Sequence, residues 1–183
     1  MKINLGSGYS RFDGYLNVDH DPLVNPDYIV DFENEPLPFE DSSVSEMKAY
    51  HILEHIGDNF LNLMKEIYRV CKHDAFVDIK FPHHRSDVQH MDPTHKRVLT
   101  MDQFLLFSKS YNKWHIEQFN SSSGFGLKLD VDFDVLQHRN IARPVWEERF
   151  KTMTPEQIQD VSENFNNVYI ETQVHMKVIK NEN

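Results

Sequence analysis

Short apolar runs punctuate the first eighty residues and set a strand rhythm. Lys2-Ile3-Asn4-Leu5 alternates and stops at Gly6. Tyr15-Leu16-Asn17-Val18 stops at Asp19, and Asp27-Tyr28-Ile29-Val30 at Asp31. Alternation over a few residues, bounded by Gly, Asn or Asp, predicts half-buried strands. After the turn-rich Glu35-Pro36-Leu37-Pro38-Phe39 and Asp41-Ser42-Ser43, Glu46–Tyr50 predicts a fourth strand. Ala75–Phe81, stopped by Pro82, predicts a fifth. Between these two the period changes. Phe60, Leu61, Leu63, Met64, Ile67, Tyr68 and Val70 recur at helical spacing, with Lys65, Glu66 and Arg69 on the other side, so a helix is predicted over 58–72. Strands on short connections, then strand-helix-strand, predict an α/β fold with a mostly parallel sheet.

The second half has a weaker pattern. Residues 82–99 are polar and rich in histidine. Thr100-Met101-Asp102-Gln103 reads as a capping box that opens a helix to Ser110. A loop is expected over 120–124. Leu127, Leu129, Val131, Phe133 and Val135 alternate with polar residues and predict a strand over 127–136. Thr154-Pro155-Glu156-Gln157 is a second capping box with proline at the first helical position, opening a helix to Asn164. Residues 168–179 predict a final long strand. Trp114, Phe119, Phe125 and Trp146 read as core or as pocket wall. With no repeat and no linker, residues 1–183 read as a single domain.

Composition narrows the class. The formal net charge of −10 would repel a phosphate backbone, and the basic groups Lys80, Arg85, Lys96, Arg97 and Arg139, Arg143, Arg149, Lys151 are modest, which argues against nucleic acid as a partner. No apolar run approaches the ~20 residues that span a bilayer. Met-Lys-Ile-Asn-Leu-Gly carries no signal-peptide core, and Cys71 is the only cysteine. A cytoplasmic setting is the expectation.

The strand ends carry the candidate chemistry. Gly6-Ser7-Gly8 follows the first strand, where glycine lets a ligand approach the backbone. A third glycine, as in the dinucleotide fingerprint, is missing, which argues against NAD or FAD. Asp19 can accept both hydroxyls of a ribose. At the third strand's end, Asp31 can meet an adenine amine while Phe32 packs on the ring. Taken singly, each of these residues also reads as a turn or a cap; their order along successive strands is what adds weight.

The run Asn4-Leu5-Gly6-Ser7-Gly8, Gly14-Tyr15-Leu16-Asn17-Val18-Asp19, Leu37-Pro38-Phe39, His51-Ile52-Leu53-Glu54-His55 and Glu66-Ile67-Tyr68-Arg69-Val70 resembles the type 11 group of class I S-adenosylmethionine-dependent methyltransferases. The resemblance covers residues 2–82. It implies a Rossmann-like sheet, mostly parallel with an antiparallel C-terminal strand and helices on both faces. It divides the chain into a cofactor half, 2–82, and a substrate half, 83–183, with an insertion near 137–167. The cofactor would be S-adenosyl-L-methionine, held by Gly6, Ser7, Gly8, Asp19, His20, Asp31, Phe32, Tyr50 and His51, and methyl transfer would go to a small-molecule acceptor through oxygen or nitrogen. The family's Pro-Gly-Gly turn is replaced by His73-Asp74-Ala75, and roughly ten residues separate the first two strands where a parallel crossover normally takes a dozen or more. A shortened first crossover is therefore expected, and with no helix before the first strand there is room for a second subunit in a homo-oligomer.

The His-rich segment after the fifth strand lies where open α/β sheets bind substrates. His83, His84, Asp92 and His95 are the candidate acceptor-binding residues, and His51 and His95 the catalytic candidates, since imidazole can take a proton near neutral pH. The segment also reads as a metal site built from His83, His84, Asp87, His90 and His95, or as a polar surface loop; no metal is assigned. Two alternatives stand beside methyl transfer. One is an S-adenosylmethionine-binding module without transferase activity. The other is a zinc hydrolase, because His51-x-x-Glu54-His55 matches the H-x-x-E-H motif, which needs a helix to bring both histidines to one face.

Overall fold

The computed structural model describes residues 1–118 and 123–180. Its strands form one seven-stranded sheet in the order β3-β2-β1-β4-β5-β7-β6. β1 (Lys2–Leu5) lies between β2 (Leu16–Asp19) and β4 (Val44–Tyr50), and β3 (Tyr28–Ile29) forms one edge. β5 (Cys71–Pro82) continues the parallel run beside β4. β7 (Tyr169–Val178) returns antiparallel between β5 and the edge strand β6 (Phe133–Ala142). The chain winds outward in one direction from β1 and in the other from β4. The crevice beyond the carboxyl ends of these two strands is the place where such sheets bind ligands.

One face of the sheet carries the core. Helix α1 (Phe60–Val70) buries Phe60, Leu63, Met64 and Ile67, an i, i+3, i+4, i+7 stripe, in one cluster with Ile3, Leu5, Met47, Ala49, Val77 and Ile79. The next helices join the same cluster: Phe104 of α3 (Met101–Leu105) meets Phe81 at 5.6 Å, and Phe107 meets Phe60 and Phe133 at 6.1 and 6.4 Å. The opposite face is treated differently. No helix joins β1 to β2, and only a 3-10 turn, Pro22–Val24, joins β2 to β3. The expected shortening of the first crossover is present. In the missing helix's place Phe12 packs edge-on against Tyr15 and Tyr50, at 5.8 and 5.6 Å, with the Lys48 ammonium 5.3 Å from the Phe12 ring. Arg11 laces the shortened loop to the next one, donating to Gly8 O at 2.7 Å and to Asn25 O at 3.2 Å. At the far end of this face Tyr169 receives Phe150 of α6 (Pro144–Phe150), and its hydroxyl meets Ser162 of α7 (Pro155–Asn164) at 2.8 Å. Helices thus flank both faces. The residues between β6 and β7, 143–168, carry α6 and α7.

Several sequence expectations change. The strand expected over 127–136 is instead α5 (Phe125–Lys128), a left-handed Asp130 at φ 55°, and β6 starting at Phe133. Packing overrides the alternation here: Gly126 N donates to Leu106 O at 2.9 Å and Leu127 N to Asn112 Oδ1 at 3.2 Å, which hold α5 against α4 (Lys109–Glu117). β6 then runs to Ala142 through exposed Gln137, His138, Arg139 and Asn140, an edge strand with little apolar pattern to read. The helix expected from Thr100 breaks into α3 and α4, and Ser108 Oγ caps α4. Thr100 makes no side-chain cap, whereas the capping box of Thr154 and Gln157 forms in both directions. Within the segment expected to be irregular, Ser86 caps a short helix α2 (Asp87–Met91). β5 begins at Cys71, earlier than expected, and Asp74 within it is left-handed at φ 60°. Trp114 is 52% exposed and Trp146 half-buried against Phe150 and Phe165, so Trp114 belongs to neither core nor cleft. The expected loop over 120–124 falls largely outside the described residues, as does Phe119. No helix among the described residues is long and apolar enough to cross a membrane.

Candidate functional site

A cleft of about 500 Å³ opens at the carboxyl ends of β1, β2 and β4, lined by Gly6, Gly8, Asp19, His20, Asp31, Phe32 and His51 from the sequence reading. It falls in the range of small-molecule and cofactor sites. Gly6 and Gly8 hold left-handed backbone at φ 65° and 49°. A Cβ on Gly6 would stand 2.5 Å from Ile52 Cβ, whereas one on Gly8 would meet nothing within 4 Å. Gly6 thus fits the turn against the end of β4, and Gly8 leaves open space over the cleft. Gly6 N and Ser7 N both donate to Val18 O, at 2.8 and 3.1 Å, and Gly8 N donates to Asp19 Oδ2 at 2.7 Å. With these N–H groups spent inside the protein, the turn has no anion cradle to offer a pyrophosphate.

Asp19 is buried at the end of β2, and its other oxygen accepts from Asp21 N at 3.0 Å. His20 Nδ1 also stands 3.3 Å from this oxygen; of about four acceptor positions on the carboxylate, two are open to a ribose only when that exposed ring gives way. Val24, Phe32, Ile52 and Ile56 give the cleft apolar walls at or near full burial, and Asp31 stands exposed at its rim. Asp21, Glu33 and Asp31 make the neighbourhood acidic, with Glu33 bridged to Lys96 at 2.6 Å. Such a lining suits a cationic nucleoside better than a phosphate. These residues fit S-adenosylmethionine: an acid for the ribose, apolar walls for the base, and a glycine whose absent side chain clears the tail.

Two predicted cofactor residues do not reach the cleft with their side chains. Ser7 is turned inward and buried. Tyr50 shares the face of its pairing partner Lys80, bonds Asp78, and receives Lys48 Nζ at 3.2 Å, on the far side of the sheet. Its neighbour Ala49 takes the buried side, and strand alternation sends Tyr50 away.

A second cleft, of about 470 Å³, adjoins the first. His51 and His55 line both, and Glu54, Pro82, Val88, Met91, Asp92, Pro93 and His95 complete it. The wall between them is stapled: Lys96 N and Arg97 N donate to Glu54 O at 2.8 and 3.2 Å, Arg97 Nε donates to Ile56 O at 2.7 Å, and its guanidinium lies 4.2 Å from the Phe60 ring. The His-rich segment therefore splits. Asp92 and His95 join His51, while His83 and His84 line a separate hollow with Asn140, Gln159, Ser162 and Tyr169. His83 is nearly buried there, and desolvation with the nearby His84 and Arg85 pushes it down to about 4.

His51 has φ 54°, and its Nε2 lies 2.7 Å from Glu171 Oε2 and its Nδ1 3.4 Å from Glu54 Oε1. These carboxylates, Glu171 first, push it up to about 9. Held between these carboxylates, the His51 ring is biased toward its protonated form, so His95 is the better placed of the candidate pair His51 and His95 to accept a proton. His95 Nδ1 is 2.8 Å from the carbonyl of Gln89, which can only accept, so Nδ1 carries a proton and the lone pair of the neutral ring lies on Nε2, 4.0 Å from Asp92 Oδ2. Thr94 Oγ1 donates to Asp92 Oδ1 at 2.7 Å and so accepts from His55 Nδ1 at 2.9 Å, which puts the lone pair of the neutral His55 ring on Nε2 as well. Glu54 is fully buried, and neither carboxylate oxygen has a hydrogen-bond partner.

Residues His55, Glu54, Thr94, Lys96, Ile52 and Ile56 had no assigned place in the cofactor or acceptor site. Their signal was present only for Glu54 and His55, in the H-x-x-E-H spacing. That spacing does not produce a His51–His55 pair: Leu53–His55 is a 3-10 turn and the His51 ring is taken by Glu171.

The fold has solved counterparts. A SAM-dependent methyltransferase from Archaeoglobus fulgidus is 15% identical, with 96% of this chain and 85% of that one covered and a TM-score of 0.57. A putative methyltransferase from Bacillus halodurans is 14% identical over 98% and 92% of the two chains, TM-score 0.57. The [4+2]-cyclase SpnF is 13% identical over 98% and 75%, TM-score 0.59. No protein-family model and no curated protein sequence matches the chain. The fold is that of the class I S-adenosylmethionine-dependent methyltransferases.

Proposed function

We propose that the protein transfers the methyl group of S-adenosylmethionine to an oxygen or nitrogen of a small molecule. The observation that carries this reading is the pair of joined clefts, one suited to the cofactor and one open beside it, with His51 and His55 as their common wall. When bound, the cofactor supplies an electrophilic methyl carbon on a sulfonium. The chain's own work is placement. Asp19 accepts the ribose hydroxyls, Phe32 and Asp31 meet the base, and the space above Gly8 receives the amino-acid tail. Asp92 and His95 hold the acceptor, and His95 Nε2 takes the proton released by its hydroxyl or amine. Holding the reacting atoms in line at the junction of the clefts supplies most of the rate. The acidic balance of the chain and the acidic cleft favour a small acceptor over nucleic acid. A cytoplasmic location is consistent with the single cysteine.

Calorimetry with S-adenosylmethionine on the wild type and on Asp19→Asn tests the cofactor half. A metabolite screen for methylated products tests the acceptor half. Binding that is lost in the variant, together with a methylated product, supports the proposal. Cofactor binding with no product from any acceptor would favour a binding module.

A further inference from the structure

We propose that Glu54, His55 and His95 form a binding site for a divalent transition-metal ion at the floor of the second cleft. One donor atom from each lies within 4.8 Å of the others, and among the described residues this is the group that meets that distance. The ligand chemistry is prepared on each residue separately. Glu54 is a carboxylate with no exposure to water and no hydrogen bond to either oxygen, which is costly unless another group satisfies it. The nearest cation is His51, whose Nδ1 stands 3.4 Å from Oε1. His95 is oriented by the Gln89 carbonyl and His55 by Thr94, each through Nδ1, which leaves the two Nε2 lone pairs free. A ring nitrogen fixed by a carbonyl or polar partner behind it is the usual support for a metal-binding histidine.

The donor set is two imidazoles and one carboxylate, with the remaining positions facing a cleft of about 470 Å³. Nitrogen and oxygen donors with open positions select zinc or a neighbouring first-row ion over calcium or magnesium. Bonds of ~2.0–2.2 Å to the ion require the three donors to draw together by up to about 1 Å. Asp92 Oδ2, 4.0 Å from His95 Nε2, stands at the open side.

The metal site itself does not depend on methyl transfer, but its use there rests on that reading. An ion at this place would bind the acceptor's hydroxyl and lower its pKa. With the ion bound, His95 would serve as ligand and the hydroxyl proton would pass to solvent at the open side of the cleft, so the acceptor class becomes an alcohol, enol or phenol able to coordinate a metal.

The test is titration of the full chain, without S-adenosylmethionine, with Zn²⁺ by calorimetry and with Co²⁺ by visible absorption. Wild type and His138→Gln, a histidine exposed on β6, should each take one equivalent with the same affinity. Glu54→Gln, His55→Gln and His95→Gln should each bind at least about 10–100-fold more weakly, since even outer partners of metal ligands cost that much. Circular dichroism and melting temperature accompany every variant. If Glu54→Gln fails to fold, the two histidine variants decide, His55→Gln first, because His55 is half-buried whereas the His95 side chain is nearly buried. No saturable equivalent in the wild type, or equal affinity in all three ligand variants, overturns the proposal. Binding of S-adenosylmethionine is measured on the same samples. Zinc binding without cofactor binding would sink the methyltransferase reading and leave the metal site standing. The reverse result would do the opposite.

Discussion

Gly6→Ala places a methyl group 2.5 Å from both Cβ and Cγ1 of Ile52, on a backbone at φ 65°. Two separate costs follow. The left-handed conformation penalises an L residue by about 1–2 kcal/mol. The collision adds an overpacking cost of about 1–3 kcal/mol, because Ile52 Cβ is tied to its own backbone and cannot swing aside. The sum of about 2–5 kcal/mol should lower the melting temperature of a domain of this size by roughly 5–15 °C. A double-mutant cycle with Ile52→Gly, which removes the clashing Cβ as well, separates the two parts. Ile52 is buried, so its truncation to glycine alone is destabilising by about 3–6 kcal/mol. In the double variant the collision is gone and the backbone cost stays. The expected coupling is about 1–3 kcal/mol, favourable, read from urea denaturation of the four proteins. Additive losses would refute the reasoning that Gly6 seats the first turn against the end of β4. So would a Gly6→Ala protein within about 0.5 kcal/mol of wild type, the range of an ordinary surface change.

Three further outcomes follow from the same geometry. Asp19→Asn keeps the shape but puts an amide donor against Gly8 N or Asp21 N, and should weaken S-adenosylmethionine by about 10–100-fold through loss of charged hydrogen bonds; an unchanged affinity in calorimetry would count against the ribose role. His83 titrates at about 4 when folded, below its ordinary value, so the native state binds fewer protons than the unfolded one between these values. Its contribution is therefore full above pH 6.5 and is lost as pH falls toward 4, by about 2–3 kcal/mol in all. His83→Gln should flatten this limb of the stability–pH curve, and an unchanged slope would contradict the burial argument. Arg69 donates to Phe39 O and Leu37 O at 2.9 Å and pairs with Glu66 at 2.8 Å through two nitrogens. Arg69→Met should cost about 2–4 kcal/mol in chemical denaturation, since two carbonyls and the carboxylates of Glu66 and Asp41 lose a charged partner. A loss under 0.5 kcal/mol would place this pairing among the negligible surface contacts, as the ~0–1 kcal/mol typical of those allows.

What could be read from the chain differs between its halves for a physical reason. β1, β2, β4, β5 and α1 were legible because each buries one face in a single shared core, so period and burial coincide. The Thr154 box was legible because it is closed by local hydrogen bonds alone. Residues 127–130 were not, because what decides their conformation is Asn112 and Leu106, more than ten residues away in sequence. Tyr50 could have been placed correctly from parity with Met47 and Ala49, whose apolar side chains mark the buried face. Asp19 and the glycine turn were visible as strand ends. The joining of Glu54 with His95 was not, since it depends on the 94–97 segment folding back onto residues 54–57 through backbone bonds that leave no mark in a pattern of side chains. The split of the histidine-rich segment has the same origin: Ser86 and α2 turn the chain between His84 and Asp92.

The most direct test of the account is incubation of the wild-type protein with S-adenosylmethionine labelled in its methyl group and a panel of small alcohols, phenols and amines, followed by mass spectrometry. The account predicts an acceptor that gains one labelled methyl, with S-adenosylhomocysteine formed in equal amount, and a large loss of both in Asp19→Asn. Failure of the wild type to bind S-adenosylmethionine, or binding and product formation unaffected by Asp19→Asn, would contradict it.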